Sequence, residues 1–404
     1  MSVKRGWQFF MHPGPTNIPQ RVLQAMARPA IDFTGPQFVA LRDACLERLK
    51  AVLKTREGFV IAYAASGHGA WDASIANLFS PGDQVLVCQS GFFSEAWAKT
   101  AAHYGLRVEV LPTPERRAVD PGALEERLSR DRAGEIKAVL LVHNETSTGM
   151  RHPAAEARAA IDRARHPALY LVDTISSLAS YDFRMDEWGV DLAVGGSQKG
   201  LMLPPGMSFT AVNPRAWAAA QHARSTRRYW DWRPMVENGC QVRFCGTAPI
   251  HYYYGLEAAL DMIEEEGLEK VFARHRHLAE ATRACVRQWG SAGGGPELFP
   301  LEADAASDSL TAVLMPAGHD AERVREIAEA RHGVALGRGL ATLQGRVFRL
   351  GHMGDLNATM LLGALAGIEL ALADAGVPHA PGGVDAAMRA LRAAGERQSE
   401  AALA

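Results

Sequence analysis

The sequence predicts an α/β protein built on a mostly parallel seven-stranded sheet, with a second, smaller α/β module toward the C-terminus. Three observations carry that prediction. Seven short, nearly continuous apolar runs alternate with amphipathic segments of helix length, as expected of strands covered on both faces of a parallel sheet. The pattern changes after Asn238, where long helical periodicities take over. Glycine and proline are abundant, 38 and 21 of 404 residues, as suits a chain with many tight turns.

Taken in order, residues 1–20 read as an extended arm, because Met11-His12-Pro13-Gly14-Pro15-Thr16-Asn17-Ile18-Pro19 is proline-rich. Phe38, Leu41, Cys45, Leu49 and Val52 recur at the spacing of one helix face, which predicts a helix over Gln37–Leu53. The predicted strands are Phe59–Ala64, Gln84–Cys88, Arg107–Leu111, Lys137–Val142, Leu169–Val172, Leu192–Val194 and Met207–Val212. Helices follow over Ile250–Glu266 and Leu268–Trp289, hinged near Gly267. After the turn-rich Ser291–Pro296 come strand-like Leu310–Met315, a helix over Ala321–Arg331, strand-like Arg346–Leu350 and a long helix from Asn357. Residues 21–267 are thus expected to form a large domain, 268–380 a small one and 381–404 a solvated helical tail with a frayed end.

Composition removes several function classes. Forty-three basic and 45 acidic side chains give a formal charge of −2, without the basic excess that nucleic-acid binding requires. Hydrophobic residues at 48% and charged residues at 22% are ordinary for a globular chain and exclude a disordered one. No internal repeat is visible. The five cysteines form no CxxC pair, so neither a zinc site nor a disulfide framework is expected, and no metal. Lys4 and Arg5 precede no apolar stretch of signal-peptide length, and Met360–Ala373, broken by Glu369, is too short to span a bilayer. A cytoplasmic protein without membrane partners is expected.

Four segments carry candidate chemistry. Lys199 follows the small residues Gly195-Gly196-Ser197 at the end of a predicted strand and precedes apolar Leu201-Met202-Leu203. A lysine there either snorkels to solvent or sits dry, with a lowered pKa suited to a Schiff base. Asp173 ends the run Leu169–Val172, where open α/β sheets bind ligands. It reads either as a turn or cap residue or as the carboxylate that holds a pyridinium nitrogen protonated, which makes Lys199 and Asp173 a pair suited to pyridoxal phosphate. Ser66-Gly67-His68 lies between a strand and a helix, where small residues pack closely or bare N–H groups cradle a phosphate. Arg349 stands among apolar neighbours in Val347-Phe348-Arg349-Leu350 and suits an interdomain ion pair and a carboxylate clamp equally.

In this order the segments resemble the class V, fold-type I pyridoxal-phosphate aminotransferases of the alanine/serine–glyoxylate group, from about Gly14 to about Ala375. The matching strings are Pro13–Pro19, Ser66-Gly67-His68, His143-Asn144-Glu145-Thr146-Ser147-Thr148-Gly149, Val172-Asp173-Thr174, Gly196-Ser197-Gln198-Lys199, Pro204-Pro205-Gly206 and Phe348-Arg349-Leu350-Gly351-His352. The resemblance implies pyridoxal 5'-phosphate as cofactor, bound by the large domain and carried on Lys199. Asp173 matches the partner of the ring nitrogen. Ser66, Gly67, His68 and Gln198 match phosphate contacts, and Thr146 matches a hydroxyl near the ring. Phe93 matches the aromatic stacked on the ring, and Thr247 a threonine reaching the phosphate from a neighbouring subunit. Arg349 matches the substrate α-carboxylate clamp, and Gly14 falls at a substrate-binding position. A homodimer with interfacial active sites is implied, as is ping-pong transfer from serine, alanine or aspartate to glyoxylate or pyruvate.

One departure stands out. Asp32-Phe33-Thr34-Gly35-Pro36 replaces the Asp-His-Arg-Ser-Pro of many relatives, which bears on donor preference. Arg224, Arg227 and Arg228 form either a solvated loop or a clamp for a distal carboxylate. Pyridoxamine and ureidoglycine transaminases are the alternative readings. A cysteine-desulfurase-like lyase is disfavoured because Leu336–Leu340 lacks a thiol and Cys285 lies on a predicted helix. A decayed, cofactor-less scaffold is disfavoured by the intact Lys199, Asp173 and Arg349.

Overall fold

In a computed structural model, which describes residues 6–403, all seven predicted runs join one sheet. Their spatial order is Phe59–Tyr63, Ser208–Val212, Leu192–Gly196, Leu169–Asp173, Ile136–Val142, Gln84–Cys88 and Arg107–Leu111. Ser208–Val212 runs antiparallel to both neighbours, and every other pairing is parallel. The near-continuous apolar character of the strands follows from burial on both faces. Tyr170 and Val172 pack on one side with Phe38, Leu49 and Tyr253, while Leu169 and Leu171 pack on the other with Trp71, Ile75 and Trp97.

The helix predicted over Gln37–Leu53 spans Pro36–Leu53, with proline in the first turn where its missing N–H costs nothing. Ile250–Glu266 is helical as predicted and packs on this core. Leu268–Gly290 follows directly, and Gly267 joins the two helices at φ 87°.

A second sheet has the order Phe9–Met11, Val334–Arg338, Val347–Gly351, Leu310–Leu314, Glu297–Leu298. Three of these strands were not anticipated. Phe9–Met11 belongs to the arm and adds a parallel edge strand beside Val334–Leu336. Val334–Arg338 is short and contains Gly337, and Glu297–Leu298 is two residues long, so neither shows a readable period. The tail forms the helix Gly383–Leu403 and packs on Leu268–Gly290 with Ala387 and Ala394 buried, so one face is covered where a solvated helix is expected. The helix runs to Leu403 where a frayed end is expected, and residues 1–5 of the arm and residue 404 lie outside the described residues. Among the described residues, no helix is long and apolar enough to cross a membrane.

The topology places the chemistry. Tyr63, Val142, Asp173 and Gly196 are the carboxyl ends of four strands that run in one direction. The segments leaving them carry Ser66–His68, Asn144–Thr146, Ile175–Ser176 and Gln198–Lys199, so four sequence-distant strings meet in one crevice.

Candidate active site

Lys199 sits in the turn after Leu192–Gly196, held by the arm. Thr16 donates its N–H to the Gln198 carbonyl at 3.1 Å and its hydroxyl to the Lys199 carbonyl at 3.2 Å. The amine donates to the Pro13 carbonyl at 2.6 Å. Gly14, at φ 116°, allows that approach: a Cβ there would lie 2.3 Å from Nζ. Of the two readings open for Lys199, the structure shows the dry one, since the residue is only 7% exposed. Burial, and then the charge of Arg349, lower its pKa to about 7, while Asp173 and Glu145 oppose the shift.

Asp173 lies buried on the neighbouring strand. Its carboxylate accepts from the Trp71 indole N–H at 2.7 Å and from the Ile175 N–H at 2.7 Å. Burial raises its pKa to about 7 despite both donors. A cation placed beside it would restore the carboxylate. Trp71 has no role in the sequence reading. The only signal for it is its position three residues beyond His68 on the helix Gly67–Leu78, whose ring it meets at 4.5 Å. Trp71→Phe is expected to strip one donor from Asp173, raise its pKa further and slow the half-reaction about tenfold. Stopped-flow rates across pH check this, and a rate and pH profile equal to the parent's would remove Trp71 from the site.

That helix opens without a side-chain cap from Ser66, and although the Gly69 N–H bonds the Ser66 carbonyl at 2.9 Å, the N–H groups of Gly67 and His68 are left for an anion. The crevice is a cavity of about 240 Å³ lined by Gly14, Ser66, Gly67, His68, Phe93, Thr146, Asp173, Gln198 and Lys199, with Asn144, Ile175 and Ser176 as additions. Gln198 Oε1 and Asn144 Oδ1 are buried there without partners, which marks a place where a polar ligand completes the hydrogen bonding. The donor-rich helix start at one end, the amine, and a carboxyl with an indole partner fit a pyridoxal phosphate.

Thr146 and Arg349 meet through the backbone. Arg349 donates Nη1 to the Thr146 carbonyl at 2.9 Å and Nε to the Arg338 carbonyl at 2.8 Å. It is 4% exposed. Burial lowers its pKa to about 10, which leaves it charged at neutral pH. Its hydrogen-bond partners are carbonyls, not a carboxylate, so the guanidinium keeps its charge available for an incoming one.

Not every predicted residue joins the cavity. Thr247 is exposed and lies outside its lining. The 32–36 loop is also outside; Asp32 accepts from the Thr34 N–H and hydroxyl and shapes the turn into the helix Pro36–Leu53. Arg227 is neither solvated nor free to clamp a substrate. Its guanidinium donates to the carbonyls of Ala76 at 2.9 Å and Ala223 at 3.1 Å, and the side chain is 3% exposed. Arg224 and Arg228 remain exposed. The thiols of Cys45, Cys88 and Cys285 are buried and their pKa values raised by burial, so they are poor nucleophiles. Among the described residues, no cluster of metal-ligating side chains occurs.

Residues 8–356 match the family model for aminotransferase class V. The chain is a class V aminotransferase. It is 42% identical to the L-aspartate–glyoxylate aminotransferase of Paracoccus denitrificans, covering 94% of this chain and 95% of the relative. It is 43% identical to the serine–glyoxylate aminotransferase of Methylorubrum extorquens, again over 94% and 95% of the two chains. The crystal structure of ureidoglycine–glyoxylate aminotransferase from Bacillus subtilis superposes with a TM-score of 0.88 at 27% identity, covering 97% of this chain and all of that one. The fold of the present chain is that of the fold-type I aminotransferases, and its cofactor is pyridoxal 5'-phosphate.

Proposed function

We propose that this aminotransferase moves the amino group of a small L-amino acid, serine, alanine or aspartate, to glyoxylate or pyruvate. The reading is carried by the buried Lys199 and Asp173, which line one cavity, with Arg349 outside that lining but bonded to the carbonyl of the lining residue Thr146 and near enough for its charge to lower the Lys199 pKa. The relatives named for serine and aspartate donors with glyoxylate support the substrate class.

When bound, the cofactor supplies the electron sink for a carbanion next to the substrate carboxylate. Asp173 would hold the ring nitrogen protonated. Ser66, Gly67, His68 and Gln198 would hold the phosphate, and Phe93 and Thr146 would contact the ring. Lys199 would carry the cofactor between turnovers. With its pKa lowered to about 7, the free amine is neutral in about half of the molecules at pH 7 and would take the proton from the substrate Cα and return it one bond away. Arg349, with Gly14 as a further substrate contact, would fix the α-carboxylate so that the Cα–H faces Lys199. The same residues serve the second keto acid in reverse, which gives ping-pong kinetics.

Arg349→Lys keeps the charge and loses the planar fork. KM for donor and acceptor should both rise, with kcat/KM down about ten- to a hundredfold, the worth of a charge-assisted bond. The cofactor spectrum should stay near normal. A variant that uses glyoxylate as well as the parent does excludes Arg349 as the clamp.

We further place the enzyme in the cytoplasm as a homodimer in which Thr247, exposed on one protomer, reaches the phosphate of its partner's site. Thr247→Ala should weaken cofactor retention about tenfold, read by dialysis and reconstitution alongside sedimentation. A fully active monomer would remove this role.

The substrate assignment is tested by adding serine, alanine, aspartate, pyridoxamine and ureidoglycine singly to the purified enzyme. The expected result is loss of the cofactor's visible band with keto-acid release for one of the three amino acids, and its recovery with glyoxylate or pyruvate. Conversion by pyridoxamine or ureidoglycine alone would overturn it. The unaltered Ser66-Gly67-His68 string speaks against the pyridoxamine reading.

A further inference from the structure

Glu145 is a fully buried carboxylate beside the cofactor cavity but not part of its lining, and no role for it follows from the chemistry above. Four donors account for it. Its oxygens accept from the N–H groups of Phe93 at 3.1 Å and Ser94 at 3.2 Å, and from the Ser147 N–H at 3.0 Å and hydroxyl at 2.5 Å. Ser147 Oγ accepts in turn from the Phe92 N–H at 3.1 Å. One carboxylate and its serine thus take up the first three N–H groups of the helix Phe92–His103, where a negative charge is also favoured by the helix dipole. Gly91, at φ 153°, makes room: a Cβ there would lie 2.5 Å from Ser147 Oγ and 2.7 Å from Glu145 Cγ.

The two ends of this bridge lead to different parts of the site. The helix turn carries Phe93, which lines the cavity. The 145–147 backbone carries Thr146, whose carbonyl receives Arg349 and whose hydroxyl donates to Ser176 at 2.7 Å. We infer that Glu145 is a positioning residue for amino transfer: it locks the aromatic wall over the ring to the segment that orients the carboxylate clamp. The inference rests on the roles proposed above for Phe93 and Arg349. Electrostatics agree with the placement. Burial raises the Glu145 pKa and its donors lower it, and its charge opposes the loss of the proton from both Arg349 and Lys199.

The test compares holoenzymes. Glu145→Gln keeps the volume and one acceptor oxygen but removes the charge and turns an NH2 toward backbone donors. KM for both donor and glyoxylate should rise about tenfold, and the circular dichroism of the cofactor band should weaken as Phe93 loses its fixed position. Asp120→Ala is the control for capping alone. Asp120 accepts from the Gly122 N–H at 2.8 Å at the start of Pro121–Arg130, away from the cavity. That variant should lose thermal stability and keep KM and dichroism. Glu145→Gln with the same pattern as Asp120→Ala, or with parental KM and dichroism, overturns the inference. If Glu145→Gln does not fold, Ser147→Ala reads the same bridge, with KM up about threefold expected; unchanged KM and dichroism there overturn it equally. Arg349→Lys separates the two levels. Parental kinetics in that variant defeat the clamp reading and the bridge with it, whereas an impaired Arg349→Lys beside a parental Glu145→Gln defeats the bridge alone.

Discussion

Lys199→Ala is expected to abolish amino transfer and the visible absorbance of lysine-held cofactor while leaving the fold intact. Two losses combine. The covalent anchor disappears, and so does the group that takes the proton from Cα, a contribution of about two to four orders of magnitude by itself. The cavity tolerates the change because the Lys199 amine is held by a hydrogen bond to the Pro13 carbonyl alone, and its burial as an ammonium is costly rather than stabilising. The sign follows from the shift. With the pKa lowered to about 7, the unfolded chain binds more protons than the native one between about pH 7 and 10.5, so native stability rises with pH through that window. Removing the amine should therefore flatten the dependence and raise the thermal midpoint of the cofactor-free protein most at or below pH 7. Cofactor should still bind without a covalent bond, through the helix start at Ser66–His68. Absorbance, mass spectrometry of the borohydride-treated protein and half-reaction rates check the prediction. A variant keeping both band and turnover would move the attachment to another lysine.

The large sheet was legible because each of its strands is buried on both faces, so its apolar run is nearly unbroken and its ends are marked by turn residues. The same reasoning failed for Val334–Arg338, where Gly337 interrupts the run, and for Phe9–Met11, which is a strand only because a distant strand lies beside it. The site was legible where a residue type is chemically unusual for its neighbours, as Lys199 and Arg349 are. Trp71, Asn144 and Glu145 escaped for the opposite reason. An indole or a carboxylate near a helix start has many uses, and only the folded chain shows that Trp71 points its N–H at Asp173 and that Glu145 accepts from the start of the helix Phe92–His103. Arg227 shows the converse, a charged cluster member that the fold uses to hold backbone carbonyls.

Asp173→Asn should cripple proton abstraction by roughly two to four orders of magnitude, the scale of losing a proton-directing group. An amide cannot hold the ring nitrogen in its charged form, and a neutral ring is a poor electron sink. The substitution is nearly isosteric. The side-chain oxygen can still accept from Trp71 or from the Ile175 N–H, which now bind at 2.7 Å each. The fold should therefore survive and the cofactor should still attach to Lys199. A second readout separates this role from a packing role. In the cofactor-free protein burial raises the Asp173 pKa to about 7, against an ordinary 3.8. The native state then binds more protons than the unfolded one between those values, so this residue costs stability progressively as pH rises from about 4 to about 7. The amide cannot ionise, so the cofactor-free Asp173→Asn protein should gain on the parent in thermal midpoint across that window, with the difference constant above it. Saturating cofactor should shrink or reverse the gain, because the ring cation pairs with the parent's carboxylate and not with the amide. A pH-independent difference between the two proteins, or a half-reaction rate equal to the parent's, would assign Asp173 to holding Trp71 and the 175–176 turn rather than to the chemistry.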